Sequence, residues 1–206
     1  MRTYVQLEGI SKEYASTVLF QNVSIKVEKN QIAIITGKNG SGKSSLLRLL
    51  IGIESADKGS IYFYKENQNI LPTDWYKHIS MVAPSMQLPM ELTVKEIVTL
   101  HSSFKQMYTT TEEFLHHTHL YKDKNKLLQQ LSTGMLQRLK LGLAFFTIST
   151  ILVIDEPTSN LDEEHIQWYQ TLLKNHLYQR IVFIATNNIP QDAPYYDYTI
   201  TLQDYK

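Results

Sequence analysis

The chain of 206 residues contains no cysteine, and this absence excludes several kinds of chemistry. Disulfide bonds, catalysis by a thiolate, and zinc or iron–sulfur sites with cysteine ligands all need a residue that the chain does not have. A chain of this size that is not stabilised by disulfides is typical of a reducing compartment. We therefore expect a cytoplasmic protein.

The chain also lacks an excess of charge of either sign. It has 20 Lys+Arg and 20 Asp+Glu, and charged residues make up only 19% of it. Proteins that bind nucleic acid through bulk electrostatics usually carry a basic excess, so we expect no nucleic-acid partner. Residues 195–198, YYDY, are aromatic but not basic, which favours packing in a strand or a contact at an edge over stacking on bases.

Long apolar segments are missing too. The first 14 residues alternate polar and apolar side chains and have no apolar core of the kind found in a signal peptide. The longest charge-free, apolar-rich stretch, at 141–154, is shorter than the ~18–20 residues that a membrane-spanning helix needs. If the protein acts at a membrane, we expect a partner to supply the part that spans it.

Apolar residues nevertheless make up 43% of the chain, enough to form a core in one domain. Nearly continuous apolar segments at 31–36, 151–155 and 180–186 predict buried strands, and helical spacing at 43–51 and 163–174 predicts helices between them. Strands and helices that alternate in this way are typical of an α/β domain with a parallel sheet.

In two other regions the apolar residues are spaced differently. Residues 1–30 predict short strands, because polar and apolar side chains alternate. Between 93 and 146, apolar residues recur every three or four positions, as in amphipathic helices. We therefore expect one domain over residues 1–206. Its expected parts are an α/β core with a β subdomain (1–83 and 150–206) and an inserted helical lobe (84–149).

Residues 37–44, GKNGSGKS, match the phosphate-loop pattern G-x-x-x-x-G-K-[ST] between a predicted strand and a predicted helix. Glycines let the backbone curl so that N–H groups converge on phosphate oxygens, and the N-terminus of the helix adds its dipole. Lys43 would reach the β- and γ-phosphates, and Ser44 would offer its hydroxyl to Mg²⁺. The alternative is a chance turn rich in glycine and serine. The candidates for binding ATP are Gly37, Lys38, Asn39, Gly40, Ser41, Gly42, Lys43, Ser44 and Ser45.

Two acids, Asp155 and Glu156, follow the apolar strand predicted at 151–155. Ligands of open α/β sheets bind at the carboxyl ends of strands, so these carboxylates are expected beside the phosphate loop. Asp155 would hold Mg²⁺ through the water shell of the ion, and Glu156 would polarise the water that attacks the γ-phosphorus. The alternative is an acidic turn that only caps the following segment.

Three further segments resemble the motifs of ATP-binding cassette (ABC) ATPases. Residues 131–138, LSTGMLQR, are similar to the signature L-S-G-G-Q followed by Q-R, and residues 156–162, EPTSNLD, look like the D-loop. Residues 11–14, SKEY, are similar to the stretch that carries the adenine-stacking aromatic. Together with the phosphate loop, these motifs cover almost the whole chain. The length and the lean helical lobe look most like small single-domain members such as the heme-exporter ATPase.

The resemblance implies a P-loop NTPase fold with a mostly parallel, RecA-like core sheet, an N-terminal antiparallel β subdomain and an inserted helical lobe. It also implies that two copies stacked head to tail hydrolyse MgATP. They would drive a separately encoded transmembrane permease at the inner face of the cell membrane, docked near residues 84–93. Tyr14 would stack on the adenine, and Ser132 and Gly134 would face the γ-phosphate bound by the other copy.

Each of these assignments has an alternative. Tyr14 would otherwise pack as an ordinary strand tyrosine, and Ser132 would only cap the helix that it precedes. The alternatives for function are a soluble ABC ATPase that serves assembly and a regulatory module that binds ATP with little or no turnover.

The chain departs from the family pattern in its signature and at its switch residue. Thr133 and Met135 stand where the signature has Gly and Gln. Asn187 aligns with the switch His, and its amide can donate a hydrogen bond to the γ-phosphate but cannot carry a charge. We therefore expect slow hydrolysis, with Glu156, Lys43 and Asn187 as the catalytic residues.

A further departure concerns the metal-contacting Gln of the family. Pro84 stands where this Gln is expected. Gln87, three residues later, either replaces it through a bulged loop or is a solvated loop amide.

Overall fold

The computed structural model describes residues 2–14 and 17–206, which form two β-sheets and a set of helices. The strands are β1 (Tyr4–Tyr14), β2 (Thr17–Glu28), β3 (Ile32–Thr36), β4 (Lys58–Lys65), β5 (Gln68–Ile70), β6 (Ile79–Val82), β7 (Ile151–Asp155), β8 (Ile181–Ala185) and β9 (Tyr198–Thr201). The α-helices are α1 (Lys43–Leu50), α2 (Val94–Phe104), α3 (Thr111–His117), α4 (Thr133–Phe146), α5 (Glu163–His176) and α6 (Ile189–Asp192), and 3₁₀ turns lie at Pro72–Lys77, Tyr121–Asp123, Leu128–Gln130 and Leu202–Tyr205.

The central sheet has five parallel strands in the order β6-β7-β8-β3-β9, which confirms the predicted parallel core. Every residue of β7 and β8 is buried, as expected for strands covered on both faces. Ile35 of β3 and Asp155 of β7 both pair with Ala185, which ends β8 between them. The segments that follow these three strands therefore leave the sheet side by side at one edge.

Helices cover both faces of this sheet. Leu152 and Ile154 of β7 belong to a core formed with α2, α3, α4 and α5. Ile151 and Val153, which alternate with them, belong to a second core formed with α1 and the other sheet. Because neighbouring strand residues point to opposite faces, the continuous apolar run of β7 serves both cores at once.

The second sheet is antiparallel, with the order β2-β1-β4-β5. Val5 and Leu7 are buried, as their alternation with polar residues predicts. The expectation of short strands was wrong, because β1 and β2 span 11 and 12 residues. Shifts of register between them interrupt the strict alternation without ending the strands, which is how β-bulges act.

The region predicted to be helical contains α2, α3 and α4. Thr93 and Thr110 each form a capping box with the Glu three residues later, which fixes the starts of α2 and α3. The apolar-rich stretch 141–154 is divided between α4 and β7. Within residues 2–14 and 17–206, no helix has the length and apolar character needed to cross a bilayer.

We predict that the protein loses stability between pH 7.5 and pH 5.5 because of His176. Burial lowers the pKa of His176 to about 4, and its ring packs against Phe145 and Phe146. A histidine in the unfolded chain has a pKa of about 6.5. Between pH 7.5 and pH 5.5 the unfolded chain therefore takes up a proton that the folded chain does not, and the free energy of unfolding falls as the pH falls. In His176→Gln, the free energy of unfolding measured with urea should change over this pH range by about 1 kcal/mol less than in the wild type. His116→Gln, at an exposed histidine, should keep the wild-type dependence.

Candidate functional site

The phosphate loop, residues 37–42, connects the end of β3 to the start of α1. Gly42 has a φ of 100°, and a Cβ there would lie 3.1 Å from atoms of Leu19 and Phe20, so the loop needs glycine at this position. The Ser41 amide donates to the Lys38 carbonyl at 3.0 Å, which closes the turn. The Ser41 hydroxyl is buried and has no hydrogen-bond partner among the described residues.

Lys43, the first residue of α1, is buried and bends back over the loop. Its Nζ donates to the Gly37 carbonyl at 2.7 Å and to Asn187 Oδ1 at 3.0 Å. The side-chain Nδ2 of Asn187 in turn donates to Asn39 Oδ1 at 2.7 Å. The residue that aligns with the switch His therefore lies on the phosphate loop, two residues beyond the end of β8.

Ser44 and Asp155 meet across the same edge of the sheet. The Ser44 hydroxyl donates to Asp155 Oδ2 at 2.7 Å. Burial raises the pKa of Asp155, and the hydrogen bond from Ser44 and the charge of Lys43 oppose this rise. A hydroxyl and a carboxylate are oxygen ligands that Mg²⁺ prefers, so this pair fits the ion that the phosphate loop implies. A bound Mg²⁺ would neutralise charge on the phosphate oxygens.

Glu156 follows Asp155 with a left-handed backbone, at a φ of 45°. Its amide donates to the Ala185 carbonyl at 2.9 Å, which fixes the backbone of Glu156 against the end of β8. Its side chain lines a cleft of about 400 Å³ beside the loop. The residues around this cleft are Tyr14, Leu19, Asn39, Gly40, Gly42, Lys43, Ser44, Ser45 and Glu156.

Tyr14 is held at the cleft by a chain of hydrogen bonds that motif reasoning missed. Its hydroxyl donates to Glu54, and Arg48 Nε donates to the other carboxylate oxygen of Glu54 at 2.5 Å. Arg48 also donates to Ser45 Oγ at 3.2 Å. Arg48 and Glu54 belong to no recognised motif, so no sequence signal connects them to Tyr14. Leu19, which also lines the cleft, was missed for the same reason.

The segment that resembles the signature begins α4. Ser132 caps this helix by accepting a hydrogen bond from the Met135 amide at 3.2 Å, which confirms that it is an N-cap. Gln137 Nε2 donates to the Pro157 carbonyl at 2.9 Å, and a Cβ on Gly134 would lie 2.9 Å from the Asn160 carbonyl oxygen. The start of α4 therefore packs on the segment after Glu156.

The start of α4 does not reach the cleft of its own chain. Among the described residues, none of those that line the cleft lies between 84 and 149, so Ser132 and Gly134 are both outside it. Gln87 is exposed and outside it as well, and Pro84 is exposed within a turn that is closed by the bond from the Met86 amide to the Ala83 carbonyl.

The residues that the sequence analysis singled out thus fall into two groups. The phosphate loop, Tyr14, Asp155, Glu156 and Asn187 come together at the carboxyl edge of the central sheet, whereas the signature residues lie apart. Residues 20–159 match the family model described as ABC transporter. The chain belongs to the ABC transporter family.

Curated relatives of this ABC protein are ATP-binding proteins of transport systems. It is 28% identical to the petrobactin import ATP-binding protein YclP of Bacillus subtilis, over 97% of the chain and 83% of the relative. It is 27% identical to the Fe(3+) ions import ATP-binding protein FbpC of Fusobacterium nucleatum, over 93% of the chain but only 52% of that protein. It is 29% identical to the ribose import ATP-binding protein RbsA of Caldanaerobacter subterraneus, over 79% of the chain and 35% of that protein.

Solved structures share the fold of this ABC protein. A putative ABC transporter ATP-binding protein from Pyrococcus furiosus superposes with a TM-score of 0.82 at 21% identity, over 98% of this chain and 99% of that one. A dimeric ATP-binding cassette in a post-hydrolysis state, bound to ADP and Pi, superposes with a TM-score of 0.81 at 23% identity, over 96% and 93%. These likenesses confirm the P-loop ABC cassette fold that the motifs implied.

Proposed function

We propose that this chain is an ATP-hydrolysing component of an ABC transporter. The observation that carries the proposal is the arrangement at the carboxyl edge of the sheet, where Ser44 donates to Asp155 at 2.7 Å and Lys43 donates to Asn187 at 3.0 Å. A phosphate loop, a pair of oxygen ligands suited to Mg²⁺ and a neighbouring carboxylate are the parts that phosphoryl transfer to water requires.

Each residue has a role that follows from its position. The loop amides and Lys43 bind the phosphates, and Ser44 and Asp155 hold Mg²⁺. Glu156 orients the attacking water and draws off its proton, and Tyr14 supports the adenine. Because an exposed tyrosine face stacks on flat rings, the hydrogen bond from Tyr14 to Glu54 serves to fix the plane of this platform.

We also propose that two copies act together, head to tail. The N-terminus of α4 is capped by the exposed Ser132 and lies outside the cleft of its own chain. Its free amides and dipole can meet the γ-phosphate bound by a second copy, where they would stabilise negative charge. In this arrangement ATP binding joins the two copies and hydrolysis separates them.

A transmembrane permease is the partner that would use this change, and the import systems among the named relatives favour uptake of a solute. Within one cassette spanning residues 1–206, we assign residues 84–149 as the lobe that contacts the permease from the cytoplasmic side.

This lobe and β6 form a groove of about 300 Å³ lined mainly by apolar side chains, including Met81, Met86 and Leu88. We propose that a short apolar permease helix docks in this groove.

Capture with a hydrolysis-deficient variant tests this function. Glu156→Gln should bind ATP and stay in the closed arrangement of two copies. The variant can therefore serve as bait in detergent-solubilised native membranes, once in the presence of ATP and once in the presence of ADP. Mass spectrometry should find a polytopic membrane protein that is retained only with ATP. Leu88→Glu in the same variant should lose that protein, because a carboxylate would enter the groove.

The other results of the capture would support a different function. ATP-dependent retention of soluble proteins alone would identify a soluble assembly ATPase. If nothing is retained and phosphate release is absent from the wild type, the chain is a regulatory module that binds ATP.

We predict that Asn187→His raises the rate of hydrolysis. Asn187 lies between Lys43 and Asn39, but its amide cannot carry a charge or transfer a proton. An imidazole in this place can do both, and we expect kcat for MgATP to rise about tenfold. Asn188→His, one residue further and bonded instead to Gln191, is the matched control. An unchanged kcat in Asn187→His would show that this position does not limit turnover.

A further inference from the structure

Asp192 is a buried acid in no recognised motif, and it joins the two chain segments that carry Glu156 and Asn187. Its side chain is on the short helix α6 and is only 3% exposed. Asp192 Oδ1 accepts hydrogen bonds from the Thr158 hydroxyl at 2.6 Å and from the Thr158 amide at 3.1 Å. Asp192 Oδ2 accepts a hydrogen bond from the Thr186 hydroxyl.

The two threonines place this link next to the chemistry. Thr158 is two residues after Glu156, and Thr186 is immediately before Asn187. The Thr186 hydroxyl also accepts a hydrogen bond from the Asn188 amide at 2.8 Å, so the backbone on both sides of Asn187 is held by the same group. Asp192 therefore fixes the position of one segment relative to the other.

The cost of this arrangement argues for more than packing. Asp192 forms no ion pair with any residue of the described chain, so a buried carboxylate is balanced only by its hydrogen bonds. An apolar side chain of similar volume would fill the same space without that desolvation cost. A carboxylate differs from an apolar group because its two oxygens can accept hydrogen bonds from two chain segments at once.

We propose that Asp192 is a positioning residue that couples the segment after Glu156 to the segment that carries Asn187. When the γ-phosphate contact of Asn187 changes, Thr186 and Thr158 transmit the displacement through the carboxylate to the 156–162 segment. That segment also receives the hydrogen bond from Gln137 of α4, so the coupling extends from the nucleotide to the signature helix. This inference rests on the proposed hydrolysis of ATP.

Threonine variants test the coupling without removing the buried acid. Thr158→Val and Thr186→Val keep the shape of the side chain and lose the hydroxyl, whereas Thr158→Ser and Thr186→Ser keep the hydroxyl. In the purified full chain, each Val variant should lower kcat for MgATP about tenfold and leave KM within about twofold, and each Ser variant should restore most of the rate. The double Val variant should be no slower than the slower single variant, because both substitutions break one link.

A matched control separates coupling from loss of a buried hydroxyl. Thr118 is also fully buried, and its hydroxyl donates to the Phe114 carbonyl within the helical region. Thr118→Val should lower the melting temperature but not kcat. The proposal is overturned if the Thr158 and Thr186 variants keep full kcat, if their effects multiply independently, or if Thr118→Val slows hydrolysis equally.

A second measurement does not depend on turnover. Hydrogen exchange should show that Thr186→Val speeds the exchange of amides at 156–161, across the sheet edge from the substitution. If the wild type hydrolyses no ATP, the proposed function fails while this exchange still decides whether Asp192 joins the segments. If exchange at 156–161 is unaffected by Thr186→Val, the coupling is refuted whatever the rate of hydrolysis.

Discussion

Replacing Glu156 with Gln is expected to lower kcat for MgATP by about 10²–10³-fold while ATP affinity stays within a few-fold. The Glu156 amide donates to the Ala185 carbonyl, so the backbone turn at the end of β7 does not depend on the carboxylate. Gln has nearly the same shape but cannot draw a proton from water. Steady-state phosphate release and a separate titration with a fluorescent ATP analogue would measure the two effects.

Glu164→Gln is the matched control for this substitution. Glu164 is exposed in the first turn of α5, and neutralising it changes the net charge of the chain by the same amount. It should leave both kcat and ATP affinity unchanged. Full turnover in Glu156→Gln would mean that Glu156 only forms the turn after β7, and the chemical role proposed for it would have to be abandoned.

Lys43→Ala should weaken the binding of MgATP by about 30- to 150-fold, or ~2–3 kcal/mol, and abolish detectable hydrolysis. Lys43 is buried at the phosphate loop and forms no ion pair with any of the described residues. Its bonds to the Gly37 carbonyl and to Asn187 Oδ1 are with neutral groups, so its charge is available to phosphate. Isothermal titration with ATP and Mg²⁺ would measure the loss.

The control for Lys43→Ala removes an equal charge elsewhere. Lys174 lies exposed in the last turn of α5, far along the chain from the loop. Lys174→Ala should bind ATP as the wild type does. If Lys43→Ala also keeps its affinity within twofold, the loop does not bind phosphate through this side chain, and the melting temperature would show whether Lys43 is instead structural.

Much of the fold could be predicted from the sequence because local patterns encode local structure. The predicted strands at 31–36 and 151–155 agree with β3 and β7 to within one residue, and the predicted helix at 43–51 agrees with α1 equally well. The short β5 and the edge strand β9 were not predicted as elements. Each is three or four residues long and is stabilised mainly by pairing with a neighbour that the sequence does not identify.

The sequence by itself determined the phosphate loop and the acids after β7. Their chemistry is contained in contiguous residues, and a glycine-rich turn before a helix lets successive amides converge on an anion. It also offered Ser132 as the N-cap of α4, because an N-cap acts on amides within the first turn of its own helix.

Only the tertiary structure decided which of these segments meet. The order β7-β8-β3 places Ala185 between Asp155 and Ile35, and this order brings Asn187 to Lys43 and Ser44 to Asp155. The spacing of apolar residues shows which face of a helix or strand is buried, but it does not show which strand lies beside it. The tertiary structure also decided the contacts of Asp192 with Thr158 and of Glu54 with Tyr14, because these partners lie 34 and 40 residues away along the chain.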